Sequence, residues 1–419
     1  MTILPMPVSY LKGRAAVSIP VIAAVIVSLV ALGLIMEGRD VRLVLFAAAL
    51  VLSGISGHLL GVLDVFFARL GDANVVGPIC SAMGFSFVIR STGCDREMVR
   101  ALLRPLRSMK WLLVPGGVAV GFLTNMAITS QTAAAAAVGP ILAPLMTAAG
   151  FSPATTAATL ILGCSAGGNL FNPGEPDVVT INVNAGVSPY NVISSLAIPE
   201  LAGVIAAVLL FVVLERRYHS SFGNSSANSS DVDADEKVNM LKAILPPLPV
   251  VLLFASMPSL GLLPSVNSWY PSGLPVVHVM LFATMLTMLL TRSRAGALTA
   301  SFFEGMGYGF TNVISLIVVA SCFIESLRMC GVIETLIHSI ATGGLWGYVS
   351  SAFSTFALAI VSGSGTAPSI AFSKGVLPGL LAHGMDIGSV VNIGMLGAIG
   401  ATFGRTMSPV AAVVIFAAT

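Results

Sequence analysis

Apolar positions run along this chain in long blocks, interrupted by short polar or Gly/Pro-rich stretches. Blocks long enough to cross a bilayer lie at roughly 17–36, 41–61, 73–92, 195–214, 243–263, 275–291 and 305–327. Shorter helical pieces are predicted as two sets, 110–128, 133–149, 154–166 and 176–186, then 344–361, 367–382, 388–402 and 409–419. The first two pieces of each set meet at a Ser/Gly/Thr tip, which reads as a re-entrant hairpin. The next two flank a polar interruption, Gly167–Asp177 in one set and Thr402–Pro409 in the other, which reads as a discontinuous helix. Non-helical backbone at membrane depth survives only where protein or water satisfies it, so the breaks are expected to line a site and not to face lipid.

The two sets are related by an ungapped offset of 234 residues. Ser130-Gln131-Thr132 is answered by Ser364-Gly365-Thr366, Pro144 by Pro378, Gly150 by Gly384 and Gly163 by Gly397. Duplicated, interrupted apolar segments in corresponding halves of a membrane protein point to a transporter's binding site. Residues 1–214 and 243–419 are therefore expected to form two repeats joined by a cytoplasmic linker, 215–242. That linker carries three Ser-Ser pairs and the acidic run Asp231–Glu236, and it cannot bury a core. Threading 93–110 inside gathers Arg96, Arg100, Arg104, Arg107 and Lys110 there, with Arg39, Arg42, Arg216, Arg217, Lys242, Arg292 and Arg294; Lys12, Arg14, Arg69 and Arg328 stay outside. That positive-inside bias predicts repeats of inverted topology. The segments 95–110 and 331–340 are expected to be interfacial amphipathic helices, the former with Met98, Leu102 and Leu106 between its arginines.

Composition narrows the class. Apolar residues make up 56% of 419 and charged ones only 9%, with a mean hydropathy of +0.95. A soluble surface needs about a quarter of residues charged, so most of this surface is expected to face lipid. A net charge of +2 gives no reason to expect a nucleic-acid partner. The five cysteines lack metal-ligand spacing and read as apolar fillers. No P-loop, dinucleotide fingerprint or nucleophile–base spacing is present, so neither an enzyme nor ATP drive is expected.

The candidate chemistry sits at the tips and breaks. Helices that start inside a membrane leave N–H groups unpaired, which favours anions. Ser130, Gln131, Thr132, Ser362, Ser364, Gly365 and Thr366 supply hydroxyls, an amide and accessible backbone there. In the breaks, Asn169, Thr406 and Ser408 are candidate contacts, and Arg405 suits a carboxylate because its planar fork pairs two oxygens and stays protonated. An internal ion pair of Arg405 with Glu175 or Asp177 is the competing reading. Glu175 and Asp177 suit coupling to H+ or Na+, since intramembrane ionisable residues are expensive and default to function; for Glu175, helix capping before Pro176 is the alternative. Lys374 is read either as snorkelling or as adding positive potential, and Asn125, Asn169 and Asn312 as interhelical hydrogen-bonding residues.

Ser362-Gly363-Ser364-Gly365-Thr366-Ala367-Pro368, followed by Gly404-Arg405-Thr406-Met407-Ser408-Pro409-Val410, resembles the S/T-G-S-G-x-A-P and G-R-T-x-S-P-V wording of the anaerobic C4-dicarboxylate carrier family (the Dcu "C" type) of the ion transporter superfamily. Ser130-Gln131-Thr132 and Asp177-Val178-Val179 match the first-half counterparts more loosely. The resemblance implies a secondary carrier of succinate, fumarate or malate in a bacterial inner membrane. It also implies an elevator-like movement of the hairpin domain, a site built from tips and breaks, and a homodimer. Two departures stand out: Glu175 adds a negative charge where a small neutral residue is usual, and relatives continue with another spanning helix after the position of Thr419. The chain is thus expected to lack the closing helix of its second half. A carrier of another carboxylate, or a truncated inactive carrier, are the alternatives.

Overall fold

A computed structural model describes residues 19–218, 238–271, 273–291, 295–409 and 411–418. Lys12, Arg14 and most of the 215–242 linker lie outside the described residues. Among the described residues the chain is helical, with no strand. The first half contains α1 (Ile19–Met36), α2 (Val41–Ile55), α3 (Leu59–Leu70), α4 (Ala73–Thr92), α5 (Cys94–Leu103), α6 (Leu113–Ala127), α7 (Gln131–Ala148), α8 (Pro153–Ser165), α9 (Pro176–Ala185) and α10 (Pro189–Tyr218). The second contains α11 (Met240–Ile244), α12 (Leu248–Ala255), α13 (Pro264–Asn267), α14 (Val276–Thr291), α15 (Ala295–Gly309), α16 (Ser315–Met329), α17 (Val332–Thr342), α18 (Leu345–Ser362), α19 (Thr366–Ala382), α20 (Ile387–Met407) and α21 (Ala412–Ala418). Among the described residues, five stretches are long and apolar enough to cross a membrane: 73–92, 131–148, 189–215, 295–329 and 387–418.

Several boundaries differ from those expected. The 41–61 block divides at Ser56-Gly57-His58, where Gly57 takes a left-handed φ of 74°. The 243–263 block divides at Pro246-Pro247, since proline removes the amide that would continue the ladder. Glu215–Tyr218 continue α10, and Met240–Lys242 open α11, which shortens the linker from both sides. The second interruption is also shorter. Thr402–Met407 stay helical, and the chain breaks only around Ser408-Pro409. Gly404 does not loosen this helix; it lets α20 approach α18, because a Cβ there would overlap the Phe356 carbonyl oxygen. Asn312 bonds the Tyr308 carbonyl of its own helix at 3.0 Å, not a neighbouring helix.

The offset of 234 residues reappears as matched local structure. Gly150 and Gly384 take φ of 89° and 82° after α7 and α19. Ser152 then caps α8 by accepting from Thr155 N, and Asp386 caps α20 by accepting from Ser389 N. At the tips, Ser130 Oγ accepts from Ala133 N at 3.4 Å and Ser364 Oγ from Ala367 N at 3.3 Å. Gly163 and Gly397 both sit at close helix crossings: an added Cβ would lie 3.0 Å from Val118 O in one and 2.9 Å from Phe372 Cδ1 in the other.

Packing interleaves the two sets. The first hairpin, α6 and α7, joins α5, α8 and α21 in one apolar core. The second hairpin arm α19 joins α9, α10, α17 and α20 in another. Each discontinuous helix therefore begins on its own hairpin and ends on the other. On α17, Ile333, Ile337 and Ile340 form a buried stripe at helical spacing. Gly379 leaves room for that stripe, since a Cβ there would stand 3.0 Å from Ile337 Cγ1. On α5, Val99 and Leu103 are buried while Arg96, and Arg104 just after the helix, are exposed. All three tryptophans, Trp111, Trp269 and Trp346, are exposed. Trp111 and Trp346 stand at the bases of the two hairpins, as aromatic residues do at a membrane–water interface. From such a base α6, at 15 residues, reaches about 22 Å, less than a hydrocarbon core of about 30 Å. Lipid-facing surface explains other large exposed side chains such as Phe67 and Ile198.

Candidate functional site

Arg405 organises the site. It occupies the last turn of α20, where a cation complements the helix dipole, and its side chain is 5% exposed. Its Nη2 donates to Ser165 O at the end of α8, 3.1 Å away. With the Gln131 amide oriented so that its oxygen faces the guanidinium, that oxygen accepts from Nη1 at 2.9 Å and Nη2 at 3.2 Å. Gly365 of the other tip lies against the same group: a Cβ there would stand 2.8 Å from Nη1. Both hairpin tips and the first break thus converge on one guanidinium. Its Nε has no partner.

Three buried carboxylates, Glu175, Asp177 and Glu200, exert their charge on Arg405. Among the described residues none forms an ion pair with it within 4.0 Å, so the expected alternative of a direct ion pair is not realised. Glu175 holds the N-cap position of α9 without capping it through its side chain. Its Oε1 instead accepts from Asn169 Nδ2 at 2.7 Å. Asp177 follows in the first turn of α9, with Ser369 of α19 beside it.

Amide side chains hold the first break together. Asn125 Oδ1 accepts from Asn169 N at 3.0 Å, and Asn125 Nδ2 donates to Ile128 O at 3.1 Å. Asn172 Nδ2 reaches Met126 O at 3.0 Å. These bonds satisfy groups that the end of α6 and the Gly167–Gly174 stretch, helical only in one 3-10 turn over Gly168–Phe171, would leave unpaired in a membrane. Asn125 and Asn169 therefore bridge separate segments, as expected for intramembrane asparagines.

The sequence-derived candidates divide into two groups. Gln131, Gly365, Asn169, Glu175, Asp177 and Arg405 come together, and Thr406 joins them, its hydroxyl 2.9 Å from both Ser165 O and Ser165 Oγ. Ser130, Ser362 and Ser364 are engaged locally as caps of their own tips. Thr132 and Thr366 stand half-buried in the first turns of α7 and α19, and Ser408 is buried with its hydroxyl unpartnered. Lys374 does not snorkel: it is 7% exposed and donates to Ser321 Oγ at 3.0 Å.

Two contributors were not foreseen. Ser165 acts largely through its backbone carbonyl, which leaves no sequence signal. Glu200 did leave one, an ionisable residue inside the apolar 195–214 block. Beside α7 a cavity of about 430 Å³ opens between Arg90, Asp95, Arg96, Ser301 and Glu304 on one side and Ala133 and Ala136 on the other. Asp95 is almost wholly buried at this cavity, and burial pushes its carboxyl above the usual range against the opposing charges of Arg96 and Arg90.

The family model described as C4-dicarboxylate anaerobic carrier matches residues 73–419. An uncharacterised transporter of Haemophilus influenzae is 31% identical over 242 residues, covering 56% of this chain and 81% of the relative. The anaerobic C4-dicarboxylate transporter DcuC of Escherichia coli (strain K12) is 26% identical over 367 residues, 84% of this chain and 75% of the relative. A Vibrio cholerae protein that bears the DcuC name is 27% identical over 348 residues, 79% and 72% of the respective chains. A helical, lipid-facing chain whose paired tips meet at one buried arginine is thus a membrane protein belonging to the C4-dicarboxylate anaerobic carrier family of transporters.

Proposed function

We propose that this protein is a secondary carrier of C4-dicarboxylates such as succinate, fumarate and malate, working by alternating access in a bacterial inner membrane. One observation carries the reading: Arg405 is buried, without a carboxylate in ion-pair distance among the described residues, and touched by both hairpin tips. Its Nη1–Nη2 edge binds Gln131 through a single amide oxygen, the geometry that a substrate carboxylate would take over with stronger, charge-assisted bonds. Family membership and the DcuC relatives support a dicarboxylate as the cargo. The matched caps and glycines at 150/384 and 152/386 support two repeats, to which this reading gives inverted topology and an elevator movement. A coupling cation, H+ or Na+, is assigned to Glu175 and Asp177, which lie within electrostatic reach of the arginine.

The test is uptake of labelled succinate by proteoliposomes. Arg405→Ala is expected to abolish it, and Arg405→Lys to restore at most a small part because the bidentate fork is lost. Full uptake by Arg405→Ala would remove the assignment. Competition by a panel of carboxylates fixes the chain length and charge of the cargo.

A further inference from the structure

Among the described residues, Glu200 is the carboxylate at the site with both oxygens buried and unpartnered. It lies on α10, is 0% exposed, and neither of its oxygens has a partner. It is turned into the first break, not toward lipid. Gly167, in a left-handed conformation with φ of 96°, backs directly onto it: a Cβ there would overlap Oε1 and stand 2.6 Å from the carboxyl carbon. The glycine therefore gives Glu200 its place, while no donor compensates a charge.

Among the described residues, the charged surroundings of Glu200 come from the elements packed most closely on α10. Helix α20 brings Arg405, and α9 with its preceding turn brings Asp177 and Glu175; α6 and the Gly168–Phe171 turn bring no titratable group. Three carboxylates thus share one guanidinium in a buried space. Moving one ion out of water without compensation costs several kcal/mol, and a dianionic substrate would add two more negative charges. Asn169 donates to Glu175, and Ser369 flanks Asp177. Glu200 has neither kind of support. Neither oxygen of Glu200 meets a donor, so a neutral, protonated carboxyl is the form these surroundings accommodate at least cost, which points to a proton as its compensating cation.

We propose that Glu200 is a proton-carrying residue of this carrier: its carboxylate takes up a proton from hydronium on the side to which the site is open, and when the site opens on the other side the O–H bond breaks and the proton passes to water there. This deepens the coupling role given above to Glu175 and Asp177 and rests on the reading of Arg405 as the carboxylate grip. A proton on Glu200 removes one negative charge next to the arginine at the moment a substrate carboxylate needs it.

Infrared difference spectroscopy of the whole carrier in lipid reads the proton directly, whatever the cargo. Glu200→Gln is expected to delete a protonated-carboxyl C=O band present at neutral pH, and Glu200→Asp to shift it. A carboxyl band unchanged by both substitutions overturns the proposal. In proteoliposomes, Glu200→Gln is expected to lose at least about ten-fold more of its pH-gradient-driven succinate uptake than of its succinate exchange. Equal loss of both, or dependence on a sodium gradient that Glu200→Gln removes, overturns it as well. Should the wild-type carrier exchange no dicarboxylate, the substrate reading fails while the infrared band still decides the proton.

Discussion

Gly365 and Arg405 are in contact so close that no side chain fits between them. A Cβ on Gly365 would stand 2.8 Å from Nη1 and 3.2 Å from Cζ of the guanidinium. The backbone imposes no such demand, because Gly365 has a φ of −81° that any residue adopts. The glycine is therefore required for space alone. Gly365→Ala is expected to push the guanidinium off Gln131 and Ser165 at a cost of about 1–3 kcal/mol, typical of overpacking. Since about 1.4 kcal/mol is a factor of ten, the initial rate of succinate uptake should fall about ten-fold or more at matched protein levels. Wild-type uptake by Gly365→Ala would mean that the position of Arg405 does not govern transport.

The second expectation concerns the edge of the guanidinium that Gln131 occupies. Its amide oxygen lies 2.9 Å from Nη1 and 3.2 Å from Nη2. Gln131→Glu would place a carboxylate on that edge, and charge-assisted bonds are roughly twice as strong as neutral ones. The internal carboxylate would compete with substrate, so the KM for succinate should rise about ten-fold or more. Gln131→Ala vacates the edge and should leave KM well below that of Gln131→Glu. The reverse order of the two KM values would show that Gln131 assists binding and does not stand in for it.

Much of this arrangement is legible in the chain because apolar periodicity and an internal offset are both local signals. Ser130-Gln131-Thr132 and Ser364-Gly365-Thr366 mark the tips, and Gly167 to Gly174 mark the first break, since glycine, asparagine and proline act on their own backbone. The second break is less legible because Thr402 to Met407 are polar in wording yet compatible with a helix; packing of Gly404 on Phe356 decides the matter. The partition of hydroxyls is not legible at all. Ser130 and Ser364 have the right chemistry for a ligand but serve as caps, whereas Ser165 joins the site through a carbonyl every residue possesses. Glu200 lies outside the duplicated segments, so an interpretation led by the duplication passes over it. Its carboxylate reaches the site only because α10 packs against both α9 and α20.

The last expectation concerns stability and lies outside the membrane-spanning segments. Asp95 in α5 is 5% exposed, and its Oδ1 accepts from Arg96 N at 2.9 Å. Burial raises its carboxyl above the usual range, and the charges of Arg96 and Arg90 offset this only in part. In an unfolded chain an aspartate titrates near about 3.9. Between that value and the raised folded one, the folded protein binds more protons than the unfolded chain, so stability falls as pH rises through this window. Above the window the cost of burying the charge is fully present; below about pH 3.9 it is absent. Asp95→Asn should therefore raise the thermal midpoint of the lipid- or detergent-embedded protein at neutral pH, by roughly 1–3 °C. The gain should shrink as the measurement is moved toward about pH 4. A lower midpoint for Asp95→Asn at neutral pH would show that the bond from Arg96 N and the two arginine charges outweigh desolvation, and that the carboxylate is held in place as a counter-charge at the cavity beside α7.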